Sequence, residues 1–158
     1  MTLQSLDKID FVILQKLIAD GRISFSAIAK ETNLTDVAIK KRVERLKRRG
    51  IVQNISAQLN YKTLGYENPI YVQIRTEMGK HKDVLKKMSE MDHVIELHQV
   101  LGEYNVLAKL IVPDLENAEA FLSRLGNLDG VIDTKTMVVL NEVKKTNTLP
   151  SQILQKKL

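Results

Sequence analysis

The first third of the chain repeats apolar residues at the spacing of an amphipathic α-helix. The pattern predicts three helices: one that carries the stripe Leu6, Ile9, Ile13 and Leu17, one over residues 25–32, and one over residues 35–50. Gly21 and Gly50 suit the ends of the first and third helices. Only Asn33 and Leu34 separate the second helix from the third, and such a tight connection is typical of a helix-turn-helix.

After Gly50 the apolar pattern becomes extended. Residues 51–60 are predicted to form a strand or wing, and residues 61–66 a short connector. Strands and helices then alternate as β-α-β-β-α-β over 68–76, 80–91, 94–101, 106–112, 115–125 and 131–143. This order is the split unit of a ferredoxin-like sandwich. The predicted fold class is therefore α+β, with an N-terminal winged helix-turn-helix (three helices plus a wing strand) followed by a ferredoxin-like βαββαβ sandwich.

The predicted elements divide the chain into four parts. They are a helix-turn-helix domain over 1–52, a linking strand and connector over 53–66, a ferredoxin-like domain over 67–143, and a tail over 144–158. The connector is not predicted to be a flexible linker, because Ser, Gly and Pro do not accumulate in it. The tail is basic and polar, and we expect it to be frayed or to form a short helix.

Several of the predicted strands are apolar on both faces. In the last strand, Met137 and Val139 point one way, whereas Val138 and Leu140 point the other. The two helices of this fold cover one sheet face, so an apolar second face would be an exposed patch. Packing of that face against a second copy of the chain is the expected solution. A strand assignment shifted by a residue or two is the alternative explanation.

The composition excludes several classes of protein. The 158 residues include no cysteine, so neither a disulfide framework nor a thiolate metal site can form. No apolar run approaches the ~18–20 residues that span a bilayer. The N-terminus also lacks a basic-then-apolar secretion signal. We therefore expect a cytoplasmic protein without a membrane partner.

The positive charge is concentrated on the third predicted helix. Residues 1–60 contain 11 Lys/Arg and 6 Asp/Glu, whereas residues 61–158 contain 13 of each. Residues 35–50 contain seven of the cations and two of the acids, which accounts for the whole net charge of +5. Localised positive charge indicates a polyanionic partner, most commonly nucleic acid. A solvated helix face is the alternative that charge alone leaves open.

The third predicted helix has the layout of a DNA-recognition helix. At 100° per residue, Ile39, Val43 and Leu46 form a buried edge. On the opposite side, Val37 and Ala38 are suited to contact thymine methyl groups, and Lys41 to donate to guanine. Flanking cations would bind phosphates of duplex DNA. The predicted DNA-binding residues are Thr35, Val37, Ala38, Lys40, Lys41, Arg42, Arg45, Arg48 and Arg49.

Other functions have weaker support in the sequence. A ferredoxin-like enzyme subunit that binds a small molecule and has no DNA role would not explain why the excess charge lies on one helix. An RNA-binding sheet would need paired aromatic residues, which are missing. His93 and His98 lie on opposite sides of a predicted strand, so no metal site is predicted. No Ser/His/Asp constellation or Gly-rich phosphate loop occurs, so we predict no catalytic residues and no cofactor.

A series of short motifs runs from Leu6 to Val143. They are Leu6-Asp7-Lys8-Ile9-Asp10, Gly21-Arg22, Ile28-Ala29, Leu34-Thr35, Arg42-Val43, Leu46, Gly50-Ile51-Val52, Leu101-Gly102-Glu103-Tyr104-Asn105, Gly130-Val131 and residues 134–140. In this order and spacing they resemble the Lrp/AsnC (feast/famine) family of transcriptional regulators. The resemblance implies homodimers that often assemble into tetramers or octamers. It also implies that amino acids or related metabolites bind between effector domains and adjust transcription.

Residues 102–105 are similar to the Gly-x-Tyr-Asp turn of that family's effector domain, with Asn105 in place of the usual Asp. Backbone N–H groups of such a turn can receive a carboxylate, and Glu103 can pair with an ammonium group. Thr134 and Thr136 point the same way along the last strand and are expected to add hydroxyl groups from a neighbouring subunit. An ordinary hairpin with surface threonines is the alternative. The predicted amino-acid effector site comprises Gly102, Glu103, Tyr104, Asn105, Thr134 and Thr136.

Overall fold

The structure, a computed structural model, describes residues 6–67 and 69–146. These residues form two compact units. The first contains the described residues up to Gln58 together with residues 144–146, and the second contains Leu59–Val143. The first residue of the predicted strand 68–76 and most of the predicted tail, residues 147–158, lie outside the described residues.

All three predicted helices of the first unit are present. They are α1 (Lys8–Ala19), α2 (Phe25–Thr32) and α3 (Asp36–Arg48). Their apolar edges meet in one core that includes Phe11, Ile13, Ile28, Ile39, Val43 and Leu46. Each of the three residues predicted to form the buried edge of α3 is at most 1% exposed, which confirms that prediction.

Polar side chains fix where these helices begin. The Asp7 carboxylate accepts the N–H of Asp10 at 2.8 Å, and the Asp10 carboxylate accepts the N–H of Asp7 at 3.3 Å. This reciprocal capping box starts α1. Ser24 and Thr35 cap α2 and α3, each accepting the N–H three positions further on, at 3.1 and 3.2 Å. Asn33 ends α2 in the left-handed conformation, with φ of 54°.

The prediction of a wing strand was wrong for the single chain. Residues 51–60 contain neither helix nor strand, and the described chain between α3 and Ile70 has no strand pairing. A strand exists only where a neighbour accepts its backbone hydrogen bonds, and an apolar pattern alone does not supply that neighbour. This segment instead packs on the end of α1. A Cβ on Gly21 would lie 2.7 Å from Ile55 Cγ2, so glycine permits the contact.

The second unit has the predicted order of strands and helices. Its elements are β1 (Ile70–Thr76), α4 (His81–Ser89), β2 (Val94–Gln99), β3 (Val106–Leu110), α5 (Leu115–Gly126) and β4 (Val131–Val138). The sheet order is β2-β3-β1-β4, and every neighbouring pair is antiparallel. This topology confirms the predicted ferredoxin-like sandwich, although the strands are shorter than predicted.

One face of the sheet is covered by α4 and α5. Every second residue of β1 is buried, as the alternation of side chains along a strand requires. The core on this face includes Ile70, Val72, Ile74, Val84, Met88, Val106, Ala108, Leu110, Phe121 and Leu125. These residues hold the helices on the sheet and leave its other face without a helical cover.

The uncovered face is called the open face below. By strand register it carries Tyr71, Gln73, Arg75, Glu96, His98, Leu107, Lys109, Asp133, Lys135 and Met137. The prediction of an apolar second face was therefore wrong for most of the sheet. β4 ends at Val138, one further backbone hydrogen bond joins Val139 N–H to the Pro69 carbonyl oxygen at 3.0 Å, and Leu140 lies beyond the strand. Charged pairs occupy much of the face, such as Lys109 Nζ and Glu96 at 2.9 Å.

Candidate DNA-binding helix and effector site

The surface of α3 opposite its buried edge is cationic. Lys40, Lys41 and Arg48 are exposed and form no ion pair with any described residue. Val37, near the start of α3, is 62% exposed. An exposed apolar residue beside free cations can contact a base edge while the cations contact phosphates. Thr35 differs from these residues, because its hydroxyl already accepts a backbone hydrogen bond as the N-cap of α3.

Two of the predicted DNA-binding arginines are held by α1. Asp10 is fully buried, and its carboxylate accepts hydrogen bonds from Arg42 Nη1 at 2.9 Å and from Arg45 Nη2 at 2.8 Å. Arg42 Nη1 also lies 2.6 Å from the Asp7 carboxylate. A buried carboxylate requires such partners, because an unpaired charge in the interior is costly. Arg42 and Arg45 thus serve the packing of α1 on α3, which the sequence interpretation did not include.

The ion pair between Asp7 and Arg42 changes the titration of both groups. Burial raises the pKa of Asp7. The backbone hydrogen bond from Asp10 and the hydrogen bond from Arg42 together lower it by more than burial raises it, so the net pKa lies below the ordinary 3.8. The hydrogen bond to Asp7 raises the pKa of Arg42, and burial opposes this only in part. Both groups are therefore charged at neutral pH, and the link between α1 and α3 is ionic.

Two further cations on α3 differ in their surroundings. Lys47 Nζ lies 3.7 Å from Glu44 in an exposed contact, and such a contact contributes little energy. Arg49 is exposed and follows the last helical residue.

The sequence interpretation did not single out Glu44, whose side chain is 53% exposed among the cations of α3. Its signal was an acid one helical turn from Lys40, Lys41, Lys47 and Arg48.

The predicted effector turn connects β2 to β3. Gly102 has φ of +152°, in the region that favours glycine, and a Cβ there would lie 3.7 Å from the backbone oxygen of Tyr104. Gly102 is therefore required by its backbone conformation rather than by lack of space. Glu103 and Tyr104 carry their side chains to the open face.

Five polar residues meet where the turn reaches the open face, and they are called the open-face cluster below. Arg75 Nη1 lies 3.4 Å from Glu103 Oε1. The Tyr104 hydroxyl donates to the Asp133 carboxylate. Lys135 Nζ lies 4.2 Å from the centroid of the Tyr104 ring. The cluster holds two cations and two acids, and it combines predicted residues with three that the sequence did not single out.

The Tyr104–Asp133 bond alters both pKa values. The Tyr104 hydroxyl lowers the pKa of Asp133, assisted by the backbone of Thr134 and the charges of Arg75 and Lys135. The Asp133 carboxylate in turn raises the pKa of Tyr104. Asp133 is therefore anionic and Tyr104 is protonated and neutral at neutral pH. The negative charge of Asp133 thus lies among the cations Arg75 and Lys135.

Asn105 is engaged away from the cluster. Its Oδ1 accepts from the Thr76 backbone N–H and hydroxyl, both at 3.1 Å, and its Nδ2 lies 2.8 Å from Thr76 Oγ1. Thr76 Oγ1 is also 3.1 Å from His81 Nδ1. Thr76 is 7% exposed. Asn105, a member of the predicted effector site, thus joins the turn to the end of β1, and its direct contact with an effector stays a prediction.

Thr134 and Thr136 lie on the helix-covered side of the sheet. They pair with Ile74 and Val72, so they point the same way, as predicted. Within one chain, the sheet separates them from the open-face cluster. Their predicted participation from a neighbouring subunit stays a prediction.

Two buried side-chain nitrogens lack a hydrogen-bond partner in the described part of the chain. They are Arg75 Nε and His81 Nε2. Arg75 lies beside Glu103, and His81 reaches Asn105 through Thr76, so both flank the predicted effector turn. Unsatisfied buried polar groups are uncommon in native proteins, so each one calls for an explanation, and a functional role is one of them. The sequence signal for Arg75 was a lone arginine in the apolar run of β1.

Other kinds of site receive no support. Within residues 6–67 and 69–146, no group of three His, Cys, Asp or Glu side chains is placed to hold a metal ion. His93 binds the carbonyl oxygen of Ile111 at 3.2 Å, and His98 is exposed near Glu96. None of the helices described is both long and apolar enough to cross a membrane.

Comparison with known proteins gives matches over both units. Residues 6–47 match the family described as AsnC-type helix-turn-helix domain, and residues 70–149 match Lrp/AsnC ligand binding domain. The chain is 32% identical over 145 residues to HTH-type transcriptional regulator FL11 of Pyrococcus furiosus, covering 92% of this chain and 96% of that protein.

Two solved structures with bound methionine have similar folds. One is a transcriptional regulator of Neisseria meningitidis in complex with L-Met, with a TM-score of 0.86, 25% identity, and coverage of 95% of this chain and 99% of that chain. The other is a feast or famine regulatory protein from M. tuberculosis complexed with L-methionine, with a TM-score of 0.84, 27% identity, and coverage of 92% and 99%.

Proposed function

Because the chain belongs to the Lrp/AsnC family of DNA-binding transcriptional regulators, we propose that α3 is its DNA-recognition helix and that an amino acid bound at the effector turn adjusts its action. Its relatives are named as regulators rather than as enzymes. Binding to chromosomal DNA in the cell would place the protein in the cytoplasm. No observation favours the enzyme-subunit or RNA-binding alternatives.

The observation that carries the DNA-binding assignment is the division of α3 into two sides. Ile39, Val43 and Leu46 are buried, whereas Lys40 and Lys41 are exposed without an acidic partner in the described chain. Lysines that are not already paired favour DNA binding, because neutralising a phosphate releases counterions that are condensed on the DNA. Arg42 and Arg45 are ion-paired with Asp7 and Asp10, so they fix the orientation of α3 rather than act as freely mobile donors to phosphates. Val37 is the residue best placed for contact with a thymine methyl group.

The effector assignment is supported by chemistry at the turn of residues 102–105. Two solved relatives hold L-methionine, and an amino acid is a zwitterion at neutral pH. The open-face cluster offers charges of both signs within one small area. An amino acid is therefore the expected effector, and its side-chain preference would depend on the residues around the cluster.

Self-association completes the proposed function. Within the part of the chain that the structure describes, residues 51–60 pair with no strand and no helix covers the open face, so a second copy can supply contacts to both. We expect a homodimer, with tetramers or octamers as larger assemblies. A dimer would also present two recognition helices to a pseudo-palindromic operator.

Titration of duplex DNA binding against salt tests the DNA-binding role. The logarithm of affinity should fall linearly with the logarithm of salt concentration, by about 0.9 per phosphate contacted. The double variant Lys40→Ala/Lys41→Ala should bind more weakly and have a shallower slope. Lys82→Ala, an exposed lysine on α4, is the matched control and should resemble the unmodified protein. Unchanged affinity and slope in the double variant would exclude α3 as the DNA-binding element.

A further inference from the structure

Arg75 is the cation of the open face that has a buried N–H donor without a partner among the described residues. Its contact with Glu103 is 3.4 Å long and exposed, with side-chain exposures of 40% and 68%. Its Nε is buried without a hydrogen-bond partner among the described residues. A guanidinium has five N–H donors, so most of the hydrogen-bonding capacity of Arg75 is unused.

The other cations of the open face contact neighbouring side chains in different ways. Lys109 is 7% exposed and lies 2.9 Å from Glu96. Burial lowers the pKa of Lys109, but the hydrogen bond and charge of Glu96 raise it to a net value above 10.5. Lys135 lies over the Tyr104 ring, next to the anionic Asp133. Among these cations, Arg75 combines a planar guanidinium with a buried N–H donor that has no partner among the described residues, so it is the one suited to directional binding of a carboxylate.

The Arg75–Glu103 pair is complementary to an α-amino acid. A free α-amino acid carries its carboxylate and its ammonium group on the same carbon atom, Cα. A guanidinium and a carboxylate that face each other across a loose 3.4 Å contact can separate slightly and receive both groups, each on its opposite charge. The planar guanidinium suits bidentate binding of a carboxylate, which a lysine does not offer.

The backbone on both sides of this pair is held in place from the other side of the sheet. Thr76 follows Arg75, and Asn105 lies two residues after Glu103. Three hydrogen bonds of 2.8 to 3.1 Å join Thr76 to Asn105. These bonds limit how far Arg75 and Glu103 can move apart, so the pair is partly organised before a ligand arrives.

We propose that Arg75 is the carboxylate anchor of the effector site and that Glu103 binds the ammonium group, with Thr76 and Asn105 as positioning residues. This inference rests on the proposed function, in which an amino acid binds at the turn of residues 102–105. It adds a residue that the sequence did not indicate. It also moves carboxylate recognition from the backbone of the turn to the side chain of Arg75.

Calorimetry with three related compounds tests the assignment. The probes are L-methionine, 3-(methylthio)propylamine, which lacks the carboxylate, and N-acetyl-L-methionine, which lacks the ammonium charge. The unmodified protein should prefer L-methionine to either analogue by at least about tenfold, the value of a hydrogen bond to a charged group. If another of the twenty standard amino acids binds instead, its amine and N-acetyl derivatives replace these probes.

Arg75→Gln should reduce the preference for the amino acid over its amine to about threefold or less, and Arg75→Lys should keep part of it. Glu103→Gln should reduce the preference over the N-acetyl compound instead. Arg124→Gln removes another arginine of the same unit, which lies over Phe121, and should keep both preferences. A ratio of two affinities of one variant does not depend on its folded fraction, so partial unfolding would not imitate these results.

Two outcomes contradict the inference and are distinguishable. If the unmodified protein binds an amino acid and Arg75→Gln keeps the full preference over the amine, the anchor assignment is wrong while the effector role stands. If the unmodified protein binds none of the twenty amino acids, the effector role and the anchor assignment both fail.

Discussion

At the scale of single residues, Asp10 connects the start of the chain to the recognition helix. One fully buried carboxylate accepts hydrogen bonds from two arginines of α3 and from the backbone of Asp7. In the sequence, Asp10 fits an ordinary position near a helix N-terminus, where acids are favourable. Its larger role comes from residues that lie more than thirty positions away along the chain.

Replacement of Asp10 should destabilise the first unit. Asp10→Ala leaves the two arginines without their shared partner and removes half of the capping box, so we expect a loss of about 3 kcal/mol in the free energy of unfolding. Chemical denaturation followed by circular dichroism measures it. Glu31→Gln, which removes an exposed partner of Lys16, is the control and should cost less than about 1 kcal/mol. A loss that small for Asp10→Ala would contradict the role given to Asp10.

The charge of Asp7 should stabilise the protein in a defined range of pH. Its folded pKa is below the ordinary 3.8, so its stabilising effect is fully present above that value and is lost as pH falls through the lower folded pKa. Asp7→Asn keeps a side chain that can cap α1 but removes the charge. The variant should be less stable at pH 7, and the difference should shrink below about pH 4. Equilibrium denaturation at several pH values measures this, and a difference that is independent of pH would contradict it.

At the scale of elements, α3 combines two tasks that compete for the same residues. Its arginines at positions 42 and 45 hold α1, while its lysines at positions 40 and 41 remain available. An acid among these cations, Glu44, reduces the attraction to phosphates of any sequence. A carboxylate in the major groove can instead accept a hydrogen bond from the cytosine amino group.

Removal of the Glu44 charge should therefore increase binding and decrease discrimination. Glu44→Gln should bind nonspecific duplex DNA more tightly, by roughly threefold to tenfold, because a repulsive charge is lost. The ratio of specific to nonspecific affinity should fall. Competition binding with an operator selected from random DNA measures both quantities. Glu90→Gln, an exposed acid just after α4, is the control, and an equal effect there would mean that Glu44 acts only through net charge.

At the scale of the whole molecule, two features bear on the proposed self-association. Among the described residues, no helix covers the second face of the sheet, and residues 51–60 pair with no strand. The open face is mostly polar, so association through it would depend on matched charges and a few apolar contacts rather than on a broad apolar patch.

A charge placed at one of those apolar contacts should weaken self-association. Met137 lies on the open face and is 46% exposed. We expect Met137→Asp to shift the measured mass toward the monomer at micromolar concentrations, because the new carboxylate would be buried without a partner. Sedimentation velocity measures the mass. Leu115→Asp, at a more exposed position at the start of α5, is the control, and equal behaviour of the two variants would argue against association through the open face.

The sequence by itself determined the helices of the first unit and the order of strands and helices along the second, because helical and strand periodicities are local properties of the chain. Ile39, Val43 and Leu46 follow from such a pattern, as does the alternation along β1. Capping by Ser24 and Thr35 is equally local. The DNA-binding family could also be inferred at this level, from short motifs in a fixed order.

Only the tertiary structure decided which charges are free and which are already paired. Asp10 with its arginines, Arg75 beside Glu103, and Asn105 on Thr76 all join positions that lie about thirty residues apart. The missing wing strand has the same origin, since residues 51–60 can form a strand only beside a neighbouring strand, and the described residues provide none. Periodicity fixes the side of an element on which a residue lies, whereas its partners depend on how the elements pack.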